Sequence, residues 1–274
     1  MSRPRNELNF SKALPNSERE LMTRMPTVLL LMCIAAGIAL PVKGDPAPTK
    51  KKPLVPHVGD LVLESRAKLE MLSEFVKDEK TFKEALEEEQ PKAAGVLACM
   101  AQAIAEHPDK KSAKVSAVAL RDAAIEARDA TELDEAKAAL AKIETALAGK
   151  AEPDGDDVSF AWDELIGMFE MMEEMNTRQS KINRIMRRSR EPLEDSLHAT
   201  TNLVLSIAME ADISYVDEDE DIKLWVDISQ EYIEDMQIVA AAIREGKAKD
   251  GKKPFLDGVK TCTACHKKLR DGDE

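Results

Sequence analysis

The chain has 274 residues, 52 Asp/Glu against 39 Lys/Arg, a formal charge of −13, and only 4% aromatic residues. That excess of carboxylates repels nucleic acid and anionic lipid and favours basic partners. Four cysteines are too few for a disulfide scaffold, while a composition led by Ala, Leu, Met, Glu and Lys with little glycine predicts an all-α protein.

At the N-terminus, Arg24 precedes an apolar run from Val28 to Leu40, and Val42-Lys43-Gly44 supplies a small residue at a cut site. The pattern predicts a secretory signal peptide over 1–44, with a run too short to span a membrane comfortably. Met22 or Met25 is an alternative start, and an uncleaved tether is the rival reading. A lipid anchor on Cys33 fits poorly, because Met32 stands where a small residue belongs. Residues 1–44 hold six Lys/Arg and three Asp/Glu, so the remainder carries −16. Residues 45–57 are rich in Pro and Lys and read as a linker.

A first set of helices is predicted over 58–149. Leu69, Leu72, Val76 and Phe82 mark one helix ending near Glu89. Pro91 suits the first turn of the next, which runs to His107. A third spans Ser112 to Ala130. A fourth starts near Thr131, where Thr131 and Asp134 form a pair like a capping box, and ends near Gly149. Cys99 sits in an apolar run and reads as a small buried hydrophobe. Residues 150–157, with Pro153, Gly155 and three aspartates, read as a second linker.

A second set is predicted over 158–271. Trp162, Leu165, Phe169, Met172, Gln179, Ile182 and Met186 recur at helical spacing as one stripe. Pro192 opens a helix with Leu193, Leu197, Val204, Ile207 and Ala211. Asp217–Asp221 reads as a solvated turn or a helix start. Trp225, Ile228, Tyr232, Met236, Val239 and Ile243 make a third stripe, ending near Gly246, and Pro254 opens the last helix. There Phe255, Val259, Cys262, His266 and Leu269 fall on one face, with Cys265 at its edge. A faint repeat aligns Leu133–Lys137 with Leu256–Lys260 and puts Ala139, Lys142 and Ile143 at the Cys, Cys and His positions. The first set then reads as a degenerate copy of the second.

The chemistry concentrates in Cys262-Thr263-Ala264-Cys265-His266. This C-x-x-C-H spacing fits covalent attachment of one haem c: two thiols for two vinyl groups, and a histidine under the ring. The rivals are half of a zinc site or a redox dithiol. Cys99, His57, His107 and His198 supply no matching second pair for zinc, and the βα setting of a thioredoxin-like dithiol is missing.

Residues 158–271 resemble the class II c-type cytochromes, the cytochrome c-prime and c-556 family, through Phe255, Val259, Cys262, Cys265, His266 and Arg270 and the Ala240-Ala241-Ala242…Gly246 helix ending. Leu269 departs from the family's usual aromatic. The resemblance implies a C-terminal four-helix bundle carrying haem c, preceded by a second, haemless helical bundle. It implies His266 as the proximal iron ligand and an ion pair from Arg270 to a haem propionate. The first helix of the bundle then crosses the distal side. Met172 is the expected residue nearest the iron, with Met168 and Met175 in reserve and His198 a remote bis-His alternative.

The expected function is electron transfer in the periplasm or another extracytoplasmic space, toward a redox partner with a basic docking surface. A five-coordinate haem protein binding NO or CO is the alternative, and a haem-bearing interaction module the third. No nucleophile–base pair or second metal set suggests an enzyme. Neither nucleic acid nor, in the mature form, a membrane span is expected; the resemblance implies a homodimer.

Overall fold

In the computed structural model, the described residues are 56–152, 158–216 and 218–270, and all belong to one compact unit, Lys51–Glu274. The segment read as a signal peptide and most of the expected first linker lie outside the described residues, as does most of the expected second linker. Among the described residues there is no strand, so the chain is all-α as expected. No helix there is long and apolar enough to cross a membrane.

The first set comprises α1 (Val58–Phe75), α2 (Glu79–Ala85), α3 (Glu89–Glu106), α4 (Lys110–Ala113), α5 (Ala117–Asp129) and α6 (Leu133–Leu147). Two predicted helices are broken where local chemistry interrupts them. The helix expected to run to Glu89 stops at Val76, because the Asp78 carboxylate caps a new start by accepting from the Thr81 N–H at 2.9 Å. The helix expected from Ser112 is interrupted by Lys114 in the left-handed region at φ 55°. Ser116 then donates its N–H to the Ala146 carbonyl at 2.9 Å, tying the start of α5 to the end of α6. At the start of α6, Glu135 rather than Asp134 reaches back, accepting from the Thr131 N–H at 3.3 Å.

The second set comprises α7 (Met168–Ile185), α8 (Pro192–Ala211), α9 (Asp219–Arg244) and α10 (Lys252–Cys265), the last continued by a π-helical turn, His266–Arg270. Pro192 opens α8 as expected, and Asp195 caps it by accepting from the Arg190 N–H at 2.9 Å and the Ser189 hydroxyl at 2.8 Å. Within the acidic run, Glu218 is the N-cap of α9 and Asp219 its first residue. Trp225 pins α9 to α8 by donating its indole N–H to the Met209 carbonyl at 2.8 Å. Gly258 lets α10 approach α9 closely: a Cβ there would meet Met236 Cε and Tyr232 Cδ2, each at 3.2 Å.

The expected single stripe from Trp162 to Met186 is two phases. Trp162–Glu164 is a short 3-10 turn, and α7 begins only after Gly167. The break resets the helix, so Phe169 is 64% exposed rather than part of the core. The buried face of α7 is Met171, Glu174, Met175, Arg178, Ile182 and Ile185.

One hydrophobic core runs through both sets, from Leu61 and Leu97 to Met236 and Phe255. The stretch before α7 is laid on the first set: Gln102 donates to the Val158 carbonyl at 3.0 Å, and the Arg121 guanidinium lies 4.5 Å from the Phe160 ring centroid. Cys99 is fully buried in this core, as expected, and burial pushes its thiol far up from the ordinary cysteine range. In the suggested repeat register, Ala139 and Ile143 are buried, but Lys142 is exposed and pairs with Glu126, whereas Cys265 is buried.

Candidate functional site

The last turn of α10 puts the motif beside a cleft. Thr261, Cys262, Cys265 and His266 form one wall; Met172, Met175, Asn176 and Gln179 of α7 form a second; Met209, Ile228 and Tyr232 complete it. The empty space, counted to its open mouth and including solvent there, is about 610 Å³. The lining is mostly apolar, and its two cysteines, Cys262 and Cys265, are free of disulfides.

Three features set the site's electrostatics. Burial, followed by the neighbouring Cys265 thiol, pushes the Cys262 thiol up to about 11. Burial also raises Cys265. Both are therefore neutral thiols near pH 7. Redox-active dithiols have lowered pKa values that populate the thiolate, so this environment disfavours the dithiol rival. Burial likewise holds the Tyr232 phenol protonated; its oxygen accepts from Asn202 Nδ2 at 3.0 Å, and the same amide group donates to the Met175 carbonyl at 3.2 Å. Gln179 Nε2 lies 4.0 Å from Cys262 Sγ, a weak polar contact across the cleft.

Of the residues singled out from sequence, Cys262, Cys265, His266, Met172 and Met175 converge on this cleft. Met168, one turn earlier on α7, packs against the core and is not part of the lining. His198 is also elsewhere: its Nδ1 lies 3.3 Å from Arg178 Nη1. The side chain of Arg270 lies outside the described residues. The zinc rival finds no support, since among the described residues no group of three or more His, Cys, Asp or Glu is placed to hold a metal ion.

The residues fit a covalently held haem. Two thiols and an imidazole sit on one wall, the other walls are mostly apolar, two methionines of α7 line the same space, and one side is open. Met209, Asn176 and Thr261 were not legible as site residues, because nothing in their spacing ties them to α10. Tyr232 and Ile228 were legible only as members of a core stripe. Compared with protein-family models, curated proteins and solved structures, the chain finds no match.

Proposed function

We propose that the chain is a monohaem c-type electron-transfer protein of the extracytoplasmic space. In this reading α7–α10 form a four-helix bundle of the class II cytochrome kind, with α1–α6 a haemless set beside it. The observation that carries it is the meeting of both motif thiols, the motif histidine and two methionines of a separate helix on one apolar cleft.

When bound, the haem supplies an iron that cycles between ferric and ferrous states. Cys262 and Cys265 would hold it as thioethers to its two vinyl groups, a redox-neutral attachment that neutral thiols allow. His266 offers an imidazole nitrogen from the same wall, and Met172 or Met175 a thioether sulfur from α7. A His/Met pair raises the reduction potential relative to harder ligands. Ile228, Met209 and the Tyr232 ring give the site an apolar side, and apolar surroundings tune the potential. The charge of −13 suits docking to a basic redox partner, and haem c attachment suits the leader read over 1–44.

The full chain, expressed with a c-type haem assembly system, is expected to gain the mass of one haem under denaturing conditions and to give the pyridine haemochrome of a thioether-linked haem. The double variant Cys262→Ala/Cys265→Ala is expected to lose both signals. Haem-free protein from the wild type would remove the proposal. Carbon monoxide then separates the two haem functions. A six-coordinate low-spin iron indifferent to CO supports electron transfer. A high-spin iron that binds CO at once makes the protein a gas binder and removes Met172 and Met175 as ligands.

A further inference from the structure

A cluster of four charged side chains is buried where α1 meets α7. Glu64 and Lys68 come from α1, Glu174 and Arg178 from α7, and each residue is 8% exposed or less. Lys68 Nζ donates to Glu174 Oε1 at 2.7 Å, and Arg178 donates to the same carboxylate from Nε at 2.9 Å and Nη2 at 2.7 Å. Arg178 also bridges to Glu64, through Nη2 to Oε1 and through Nη1 to Oε2 at 3.4 Å. The two carboxylates and two cations cancel.

Burying four ions costs several kcal/mol each, and apolar residues of similar size hold helices together at least as well. What the cluster adds is a requirement on geometry. Sliding α7 by one turn, about 5.4 Å, or rotating it by one residue leaves buried charges unpaired.

The same turns of α7 that carry Glu174 and Arg178 carry Met175, Asn176 and Gln179 into the cleft. At about 100° per residue, the charged face and the cleft face lie roughly 130° apart on one helix. Two further ties hold the sets in the same relation: Lys92 of α3 pairs with Glu173 at 3.2 Å, and Arg244 of α9 pairs with Asp60.

We infer that the first helical set, through Glu64 and Lys68 of α1, fixes the rotation and height of α7 and thereby selects which α7 side chain stands against the haem iron. Glu64, Lys68, Glu174 and Arg178 are positioning residues, and residues 58–149 are part of the haem site's construction. This rests on the haem reading above.

The test replaces the whole cluster in the full, haem-loaded chain: Glu64→Leu, Lys68→Leu, Glu174→Leu and Arg178→Leu together, which adds no new sulfur ligand. One haem per chain and an unchanged or higher Tm are expected, because the anchoring thiols sit on α10. The ferric electron paramagnetic resonance spectrum is expected to change from one species to at least two, with a shifted reduction potential. A folded, haem-loaded variant with the wild-type spectrum and potential overturns the inference. Should the quadruple variant not accumulate, Glu174→Asp keeps the charge and shortens its reach by one methylene; a wild-type spectrum there overturns it equally. If the wild-type chain takes up no haem, the haem reading fails, but the clamp is still measured by hydrogen exchange. Amides of Met175–Gln179 are expected to exchange at least tenfold faster in the quadruple variant, and equal rates overturn the clamp itself.

Discussion

Acidification is expected to destabilise the protein through His198 well before its carboxylates protonate. Burial, then the charges of Arg178 and Lys181, lower the His198 imidazole from 6.5 to about 4, against weaker pulls from Asp195 and Glu174. The geometry gives the reason. Arg178 Nη1 lies 3.3 Å from His198 Nδ1, and a guanidinium can only donate, so Nδ1 must be the unprotonated, accepting nitrogen. Protonation there sets two donors against each other.

The histidine is depressed in the folded state, so the unfolded chain binds the proton first as pH falls. The stabilisation is complete above 6.5 and is lost progressively as pH falls toward about 4. The full shift is worth about 3 kcal/mol at 1.36 kcal/mol per unit. Because the ring is only partly buried, a loss of about 2 kcal/mol is expected. Urea unfolding followed by far-ultraviolet circular dichroism at pH 7.5, 6.5, 5.5 and 4.5 measures it. The His198→Gln variant supplies an amide oxygen for Arg178 and cannot charge. Its stability is expected to match the wild type near pH 7.5 and to stay about 2 kcal/mol flatter over the same range. Parallel curves for the two proteins would refute the reasoning.

Removing Arg178 alone, as Arg178→Leu, leaves Glu64 and Glu174 buried with Lys68 as their only cation of the cluster. A loss of about 3–5 kcal/mol is expected, seen as a Tm drop of roughly 6–20 °C in calorimetry; a change under 2 °C contradicts it. Gly258→Leu drives a side chain into Tyr232 and Met236, which already stand 3.2 Å from where a Cβ would be. It is expected to cost about 1–3 kcal/mol in chemical denaturation, and a neutral result means that α10 can move away from α9. Asn202→Ala withdraws the donor shared by Tyr232 and the Met175 carbonyl. A loss of about 1–3 kcal/mol is expected, with equal midpoints counting against these bonds.

The helices that were legible carry their own punctuation. Pro192 at the start of α8, Gly246 at φ 71° after α9, and the periodic apolar faces of α9 and α10 need no distant partner to be read. The motif of Cys262, Cys265 and His266 is equally local. The phase of α7 was not legible, because Leu165 and Ile166 continue an apolar rhythm across a break that only Gly167 marks. Thr131 was seen as a cap site, yet the carboxylate that reaches it is Glu135, one residue beyond the expected Asp134. Nothing local singles out Glu64 and Lys68, a common i, i+4 spacing of opposite charges; their partners Glu174 and Arg178 lie more than 100 residues away.

That concealed cluster bears on how α7 can be specified at all. The apolar part of its buried face is Met171, Met175, Ile182 and Ile185, and near the cleft it is methionine alone. Methionine is flexible and fills gaps of many shapes, so apolar packing there tolerates several rotations of the helix with little difference in energy. A site that needs one particular thioether at one particular place is poorly served by such a surface. The charges have the opposite property, since each misplacement leaves an ion buried without a partner. Adaptable sulfur on one face of α7 and unforgiving charge on another together define a single setting, which neither face would define alone.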